Sequence, residues 1–199
     1  ETGIQVESGD VVVVKGKTVV PEEKKVYLAF NKPRGIVCTA EKREKNNVID
    51  YLSYPVRIYP VGRLDKDSEG LLLMTNDGAI VNGIMRARNR HEKEYQVEVN
   101  KEITPEFLKK MASGVPILDT VTRPCRIRKT GERSFTIILT QGLNRQIRRM
   151  CEALGYRVTK LKRVRIMNIH LKDLKTGEYR PLTEKELAEL KKQIGEEKR

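Results

Sequence analysis

Residues 61–78 read VGRLDKDSEGLLLMTNDG. A polar loop holding Arg63, Asp65, Asp67 and Ser68 between Gly62 and Gly70 runs directly into the apolar stretch Leu71–Met74. That stretch has the length and character of a buried strand, and Asn76-Asp77-Gly78 then turns the chain into a short helix with Ile80, Ile84 and Met85 on one side. Glycine bends such a loop tightly and the following strand holds it rigidly. An aspartate so placed can serve as nucleophile or base, although D-x-x-S is on its own a common turn and cap pattern. Asp65 and Asp67 are the competing carboxylates, and composition does not separate them.

Working outward, Val26–Phe30 reads as a strand ended by NKPRG (31–35), and 41–47 as a charged loop. Glu94–Val99 alternates as a strand with Tyr95, Val97 and Val99 on one face. Thr104-Pro105-Glu106 opens a helix with Phe107, Leu108, Met111 and Ala112 as its stripe, stopped by Gly114. Strands are expected near Val121–Arg128 and Phe135–Leu139, a helix over Arg145–Leu154, and two strands near Val158–Leu161 and Ile166–Leu171. A last helix starts at Thr183, with Glu186 completing a capping box. Many strands with short turns and irregularly inserted helices define an α+β fold, a mainly antiparallel mixed sheet flanked by helices. Residues 1–22 contain a strand at Val11–Val14 with no element to pair with nearby, and read as the remnant of a truncated N-terminal domain preceding a unit over 23–199.

Charge narrows the function. The chain of 199 residues carries 40 Lys and Arg against 27 Asp and Glu, a net +13. Arg123–Arg165 alone holds 13 basic residues and two acidic ones. On a folded segment this is the electrostatic footprint of a nucleic-acid binder, although a solvated, solubility-tuned surface has the same composition. No apolar run is long enough to span a membrane and no secretory signal is visible, so a cytoplasmic protein is expected. Cys38, Cys125 and Cys151 stand far apart, which argues against a disulfide framework. No His, Cys and carboxylate spacing suits zinc, and neither a phosphate loop nor a dinucleotide fingerprint is present. Neither metal nor cofactor is expected.

Two further segments carry reactive side chains. In QGLNRQIRRMC (141–151), Ile147, Met150, Cys151 and Leu154 mark a core-facing stripe. Arg149 and Arg145 point away, while Arg148 lies one residue-step from the stripe and can reach a partly buried carboxylate. In RARNRHEKEY (86–95), four cations and His91 precede Tyr95, a combination suited to base stacking and phosphate contact, or to a core tyrosine behind an exposed loop.

The strings NKPRG, VGRLDKDSEGLLLMTNDG, HEKEY and QGLNRQIRRMCEALGY followed by KLKRVRIMNI strongly resemble the RsuA-type pseudouridine synthases, and within them the RluF branch that acts on large-subunit ribosomal RNA. The resemblance covers about residues 25–190 in one order, and GRLDxxSxG with a downstream RQIRRM is specific as a set.

The resemblance implies a pseudouridine synthase fold and a reaction without cofactor or metal. It places the catalytic aspartate at Asp65, the tyrosine that stacks on the uracil at Tyr95, and the arginine that pairs with the aspartate at Arg148. Lys32 and Pro33 fall on the motif supporting the tyrosine side of the pocket, and Leu161 or Ile166 on the apolar residue under the base. Gly62, Arg63, Leu64 and Gly70 match as loop-shaping residues, while the basic segment Arg123–Arg165 is expected to contact the RNA backbone, with Arg145 and Arg149 among its participants. It further implies an S4-like RNA-binding domain, of which residues 3–14 look like the last strand. The substrate is then structured ribosomal RNA, 23S or also transfer RNA, bound by a monomer. The rivals are a sibling enzyme acting on 16S or transfer RNA, a catalytically silent ribosome-assembly protein, which would lack the aspartate, tyrosine or arginine, and a DNA-binding regulator, for which no helix-turn-helix pattern is present.

Overall fold

The structure is a computed structural model that describes residues 12–14, 17–19 and 24–197. Strands β1 (Val12–Val14) and β2 (Lys17–Val19) pair antiparallel with each other, so the first strand does have a neighbour, contrary to expectation. The rest of the expected N-terminal remnant lies outside the described residues.

The main chain then runs through β3 (Tyr27–Lys32), α1 (Val48–Leu52), β4 (Tyr59–Pro60), β5 (Glu69–Thr75), α2 (Gly78–Arg86) and β6 (Lys93–Val99). It continues through α3 (Pro105–Ser113), the small hairpin β7 (Pro116–Ile117) and β8 (Thr120–Val121), β9 (Arg126–Gly131), β10 (Ser134–Leu139) and α4 (Gln146–Ala153). The last elements are β11 (Val158–Ile166), β12 (Ile169–His170), β13 (Tyr179–Pro181) and α5 (Glu184–Glu197). Nine strands form one sheet in the order β13-β3-β5-β11-β6-β10-β9, with β4 and β12 attached to β5 and β11. Only the β5–β11 pairing is parallel among the described strands of this sheet, so the fold is α+β with a mixed, mainly antiparallel sheet.

The apolar run of β5 is explained by burial on both faces. Leu71 and Leu73 pack with Ala29, Ile80, Ile84 and Ile194, bringing α2 and α5 onto one side. Leu72 and Met74 pack with Leu28, Phe30, Val48 and Ile58 on the other. A strand covered twice has no polar face to alternate. In the other half of the sheet, Val97, Phe135 and Ile137 meet Phe107 and Met111 of α3 and Ile147 and Met150 of α4. The caps follow the sequence: Thr104 Oγ1 accepts from the Phe107 amide, and Thr183 and Glu186 form the reciprocal capping box.

Three boundaries differ from expectation. Residues 158–166 are one strand rather than the end of one and the start of another. The intervening arginines are partnered within the sheet: Arg163 Nε donates to the Leu71 carbonyl and Arg165 to Glu92 and Glu94, while two register irregularities along β6 absorb the broken alternation. The stretch expected as one strand near 121–128 is split into β8 and β9, with Pro124, which lacks an amide donor, between them. Helix α4 begins at Gln146 because Arg145 is left-handed, with φ 48°.

Candidate active site

The loop 61–70 leaves β4 and enters β5 beside the middle of β11, where Glu69 and Gly70 pair with Lys162 and Arg163. Gly70 has φ 107°, and a Cβ there would overlap the Arg163 backbone carbonyl, so the parallel β5–β11 approach requires glycine. Inside the loop, Leu64 and Ser68 are buried while Arg63 and Lys66 are exposed. The Ser68 amide donates to the Asp65 carbonyl (3.0 Å), and the Lys66 carbonyl accepts from the Gly35 amide (2.7 Å). The fully buried Lys32 ammonium ties the same region together, donating to the Pro33 and Ile36 carbonyls (2.9 and 2.8 Å) and reaching the Lys66 carbonyl at 3.5 Å. Burial pushes its pKa below the ordinary lysine value. Lys32 and Pro33 thus brace the aspartate loop rather than the tyrosine side, and neither lines the cavity described below.

Two arginines of the α4 region close on this loop. Arg145 donates Nη1 to Asp67 Oδ1 (3.1 Å) and Nη2 to Oδ2 (3.0 Å), and its Nη1 lies 3.3 Å from Asp65 Oδ2. Arg148, buried in α4, donates Nη2 to the Asp67 carbonyl and to Ser68 Oγ, both at 3.1 Å, with Nη1 3.6 Å from Asp67 Oδ2. The hydrogen bond from Arg145, aided by the charge of Arg148, holds the Asp67 carboxyl below the usual range against its partial burial. The expected Arg148–Asp65 ion pair is not formed among the described residues. The cation on Asp65 is Arg145, whose left-handed N-cap conformation turns its side chain toward the loop, whereas a helical residue there points away. Arg148 reaches a carboxylate as its wheel position suggests, but it is that of Asp67. Arg145 is accordingly committed to carboxylates rather than free for phosphate, and Arg149 binds Asn144 through its carbonyl and Oδ1 (3.0 and 2.8 Å).

A cavity of about 540 Å³ opens beside the loop. Asp65, Arg63 and Arg145 line it on one side, and Tyr95 on β6 lines it on another. Both apolar candidates, Leu161 and Ile166, reach it. Arg148 and Arg149 do not contribute to its lining. Two cations of the lining are not singled out individually by the sequence: the buried Arg163, one of the basic residues of 123–165, and Lys93, one of the four cations of 86–95. Reading 158–166 as a single strand is the signal that finds Arg163, since period two then puts Leu161 and Arg163 on one face. Lys93 precedes Tyr95 by two and shares its face of β6 for the same reason. Among the described residues, no group of three His, Cys, Asp or Glu side chains gathers as a metal site, and no helix is long and apolar enough to cross a membrane.

A nine-stranded mixed sheet with an aspartate loop and a tyrosine strand around one cavity has clear relatives. The family model for RNA pseudouridylate synthase matches residues 26–153, and the chain belongs to that family. It is an RNA pseudouridine synthase, an isomerase acting on RNA. The dual-specificity RNA pseudouridine synthase RluF of Salmonella typhi is 54% identical over 194 residues, covering 96% of this chain and 67% of that protein. The ribosomal large subunit pseudouridine synthase B of Bacillus subtilis (strain 168) is 36% identical over 199 residues, covering 96% of this chain and 81% of its own. A crystal structure of a pseudouridylate synthase superposes with a TM-score of 0.78 at 28% identity, covering 96% of this chain and 84% of that one.

Proposed function

We propose that the enzyme isomerises a specific uridine in structured 23S ribosomal RNA, with Asp65 acting at the ribose–uracil junction and Tyr95 stacking on the base. The observation that carries this reading is that Asp65 and Tyr95, from separate elements, line one cavity together with the apolar Leu161 and Ile166. Its volume, about 540 Å³, lies in the range of small-molecule sites. The large-subunit assignment is supported by the name of the Bacillus relative, and the dual specificity named in RluF is in keeping with a second RNA substrate, which in this reading is transfer RNA.

The reaction breaks N1–C1′, turns the base and joins C5 to C1′. C5 gives up a proton and N1 gains one, so there is no net redox change. A carboxylate at the junction serves as nucleophile at C1′ or C6, or as base toward a sugar proton, and each course uses Asp65 at the same place. Arg145 orients Asp65 and is a positioning residue. Arg148 shapes the loop through Ser68 and Asp67. The target uridine must leave its stack to enter the cavity, and Tyr95 then offers it a replacement ring. The basic segment 123–165 meets the RNA backbone. In this reading residues 23–199 are the catalytic unit, a monomer working in the cytoplasm, and residues 1–22 belong to an S4-like RNA-binding module.

The test is release of tritium from RNA labelled at uracil C5. Release from 23S RNA is expected. Release from 16S RNA alone reassigns the substrate, and none from any RNA overturns the reading.

A further inference from the structure

Beside Tyr95 the cavity wall carries Lys93 and Arg88, with Arg123 next to them outside the lining, and none of the three makes an ion pair among the described residues. Lys93 lies two residues before Tyr95 on the same face of β6, between Leu139 and Ile166 of the neighbouring strands. Its Nζ donates to the Arg88 carbonyl and lies 3.8 Å from where a Cβ on Gly142 would stand. Arg88 donates to the Met85 carbonyl (3.0 Å) and Arg123 to the Asn89 carbonyl. The three cations therefore converge on the chain just after α2, where carbonyls at the negative helix end attract them. Those carbonyls use one donor from Lys93, leaving two on the ammonium, and each guanidinium retains further N–H groups.

The neighbouring acids are taken elsewhere. Glu92 accepts from Arg126 and Arg165, and Glu94 accepts from Arg165. Burial, and after it the positive charges of Arg163, Arg123 and Arg88, push the Lys93 pKa down to about 8. Like charges collected in this way are unfavourable until an anion joins them, and a phosphate oxygen is the acceptor that suits an ammonium beside guanidinium groups.

We propose that Lys93, with Arg88 and Arg123 beside it, forms a phosphate subsite that holds the RNA backbone next to the uridine stacked on Tyr95. The proposal rests on the reading of this cavity as the uridine site. It gives Lys93 a binding role at the edge of the chemistry.

The experiment compares wild type, Lys93→Gln and Lys93→Arg in tritium release and in filter binding of 23S RNA across a salt series. Removing one phosphate contact in Lys93→Gln should raise KM about tenfold with kcat little changed, and flatten the slope of log affinity against log salt by about 0.7–0.9. Lys93→Arg should restore most of both. A fall in kcat at unchanged KM, with loss of a limb of the pH profile, would assign Lys93 to proton transfer and overturn the proposal, as would an unchanged salt slope. Should Lys93→Gln fail to fold, the exposed pair Arg88→Gln and Arg123→Gln must show the same loss of slope. Absence of tritium release by the wild type, by contrast, would count against the underlying reading and leaves the binding slopes to judge the subsite.

Discussion

Arg145 grips both carboxylate oxygens of Asp67, at 3.1 and 3.0 Å, while the same guanidinium lies 3.3 Å from Asp65. One planar cation thus joins two aspartates that sit two residues apart, and the fork sets how the loop presents the outer one. Asp67 takes most of the donors. Among the described residues Asp65 keeps a single ion contact, and it faces the cavity.

This division separates the two carboxylates. Asp65→Asn should lower tritium release by at least ~1000-fold while RNA retention on filters changes less than about twofold, because it removes the reacting group and little else. Asp67→Asn should cost only about tenfold, by loosening Arg145 and the loop. The reverse ranking would exchange the two roles.

The two arginines should part in stability and activity. Arg145→Ala removes an exposed pair worth less than ~1 kcal/mol to folding, yet it should lower kcat by about tenfold or more as Asp65 loses its orientation. Arg148→Ala removes buried, charge-assisted hydrogen bonds to Ser68 and the Asp67 carbonyl and should destabilise by about 2–3 kcal/mol. Urea denaturation run beside the tritium assay distinguishes them.

Glu186 predicts an acid-sensitive clamp. Its carboxylate accepts both Arg180 terminal nitrogens (2.8 and 3.0 Å) and the Thr183 amide (2.8 Å), and its pKa is lowered to about 2, mainly by the bond from Arg180. Because the folded value lies below the unfolded one, this stabilisation is complete above about pH 4.5 and is lost as pH falls toward 2, an effect of about 3 kcal/mol. Glu186→Gln should show a flatter stability profile between pH 5 and 2 and a correspondingly lower stability at pH 7, measured by chemical denaturation.

Gly70→Ala should cost about 2 kcal/mol or more, since it combines a positive φ with overlap onto the Arg163 backbone. The β5–β11 approach would have to open, and the aspartate loop would move with it. Loss of both melting temperature and activity is the expected result, and a neutral variant would contradict the geometry.

Much of the framework was legible because its signals are local. The N-cap at Thr104, the capping box at Thr183, the α3 stripe and the apolar run 71–74 report pairings within a few residues. Strand β11 was harder, since its arginines look like a break until Glu92, Glu94 and the Leu71 carbonyl are in place beside them. The contact of Arg145 with Asp65 was hard to read for a conformational reason. A helical wheel assumes helical angles at Arg145, and the left-handed turn there redirects its side chain.

From its residues alone, this chain is a basic α+β protein whose aspartate loop, tyrosine strand and arginine helix match one enzyme family. Period and composition suffice for the fold class, because each element's pattern reflects its own burial, while the family follows from the resemblance of its motifs. Tertiary structure decided which cation meets which carboxylate and that Lys32 braces the loop from beneath. It also decided that Lys93 and Arg163 share the cavity with Tyr95. Such contacts depend on where separate strands and loops converge, and on single backbone angles such as that of Arg145, which no periodicity records.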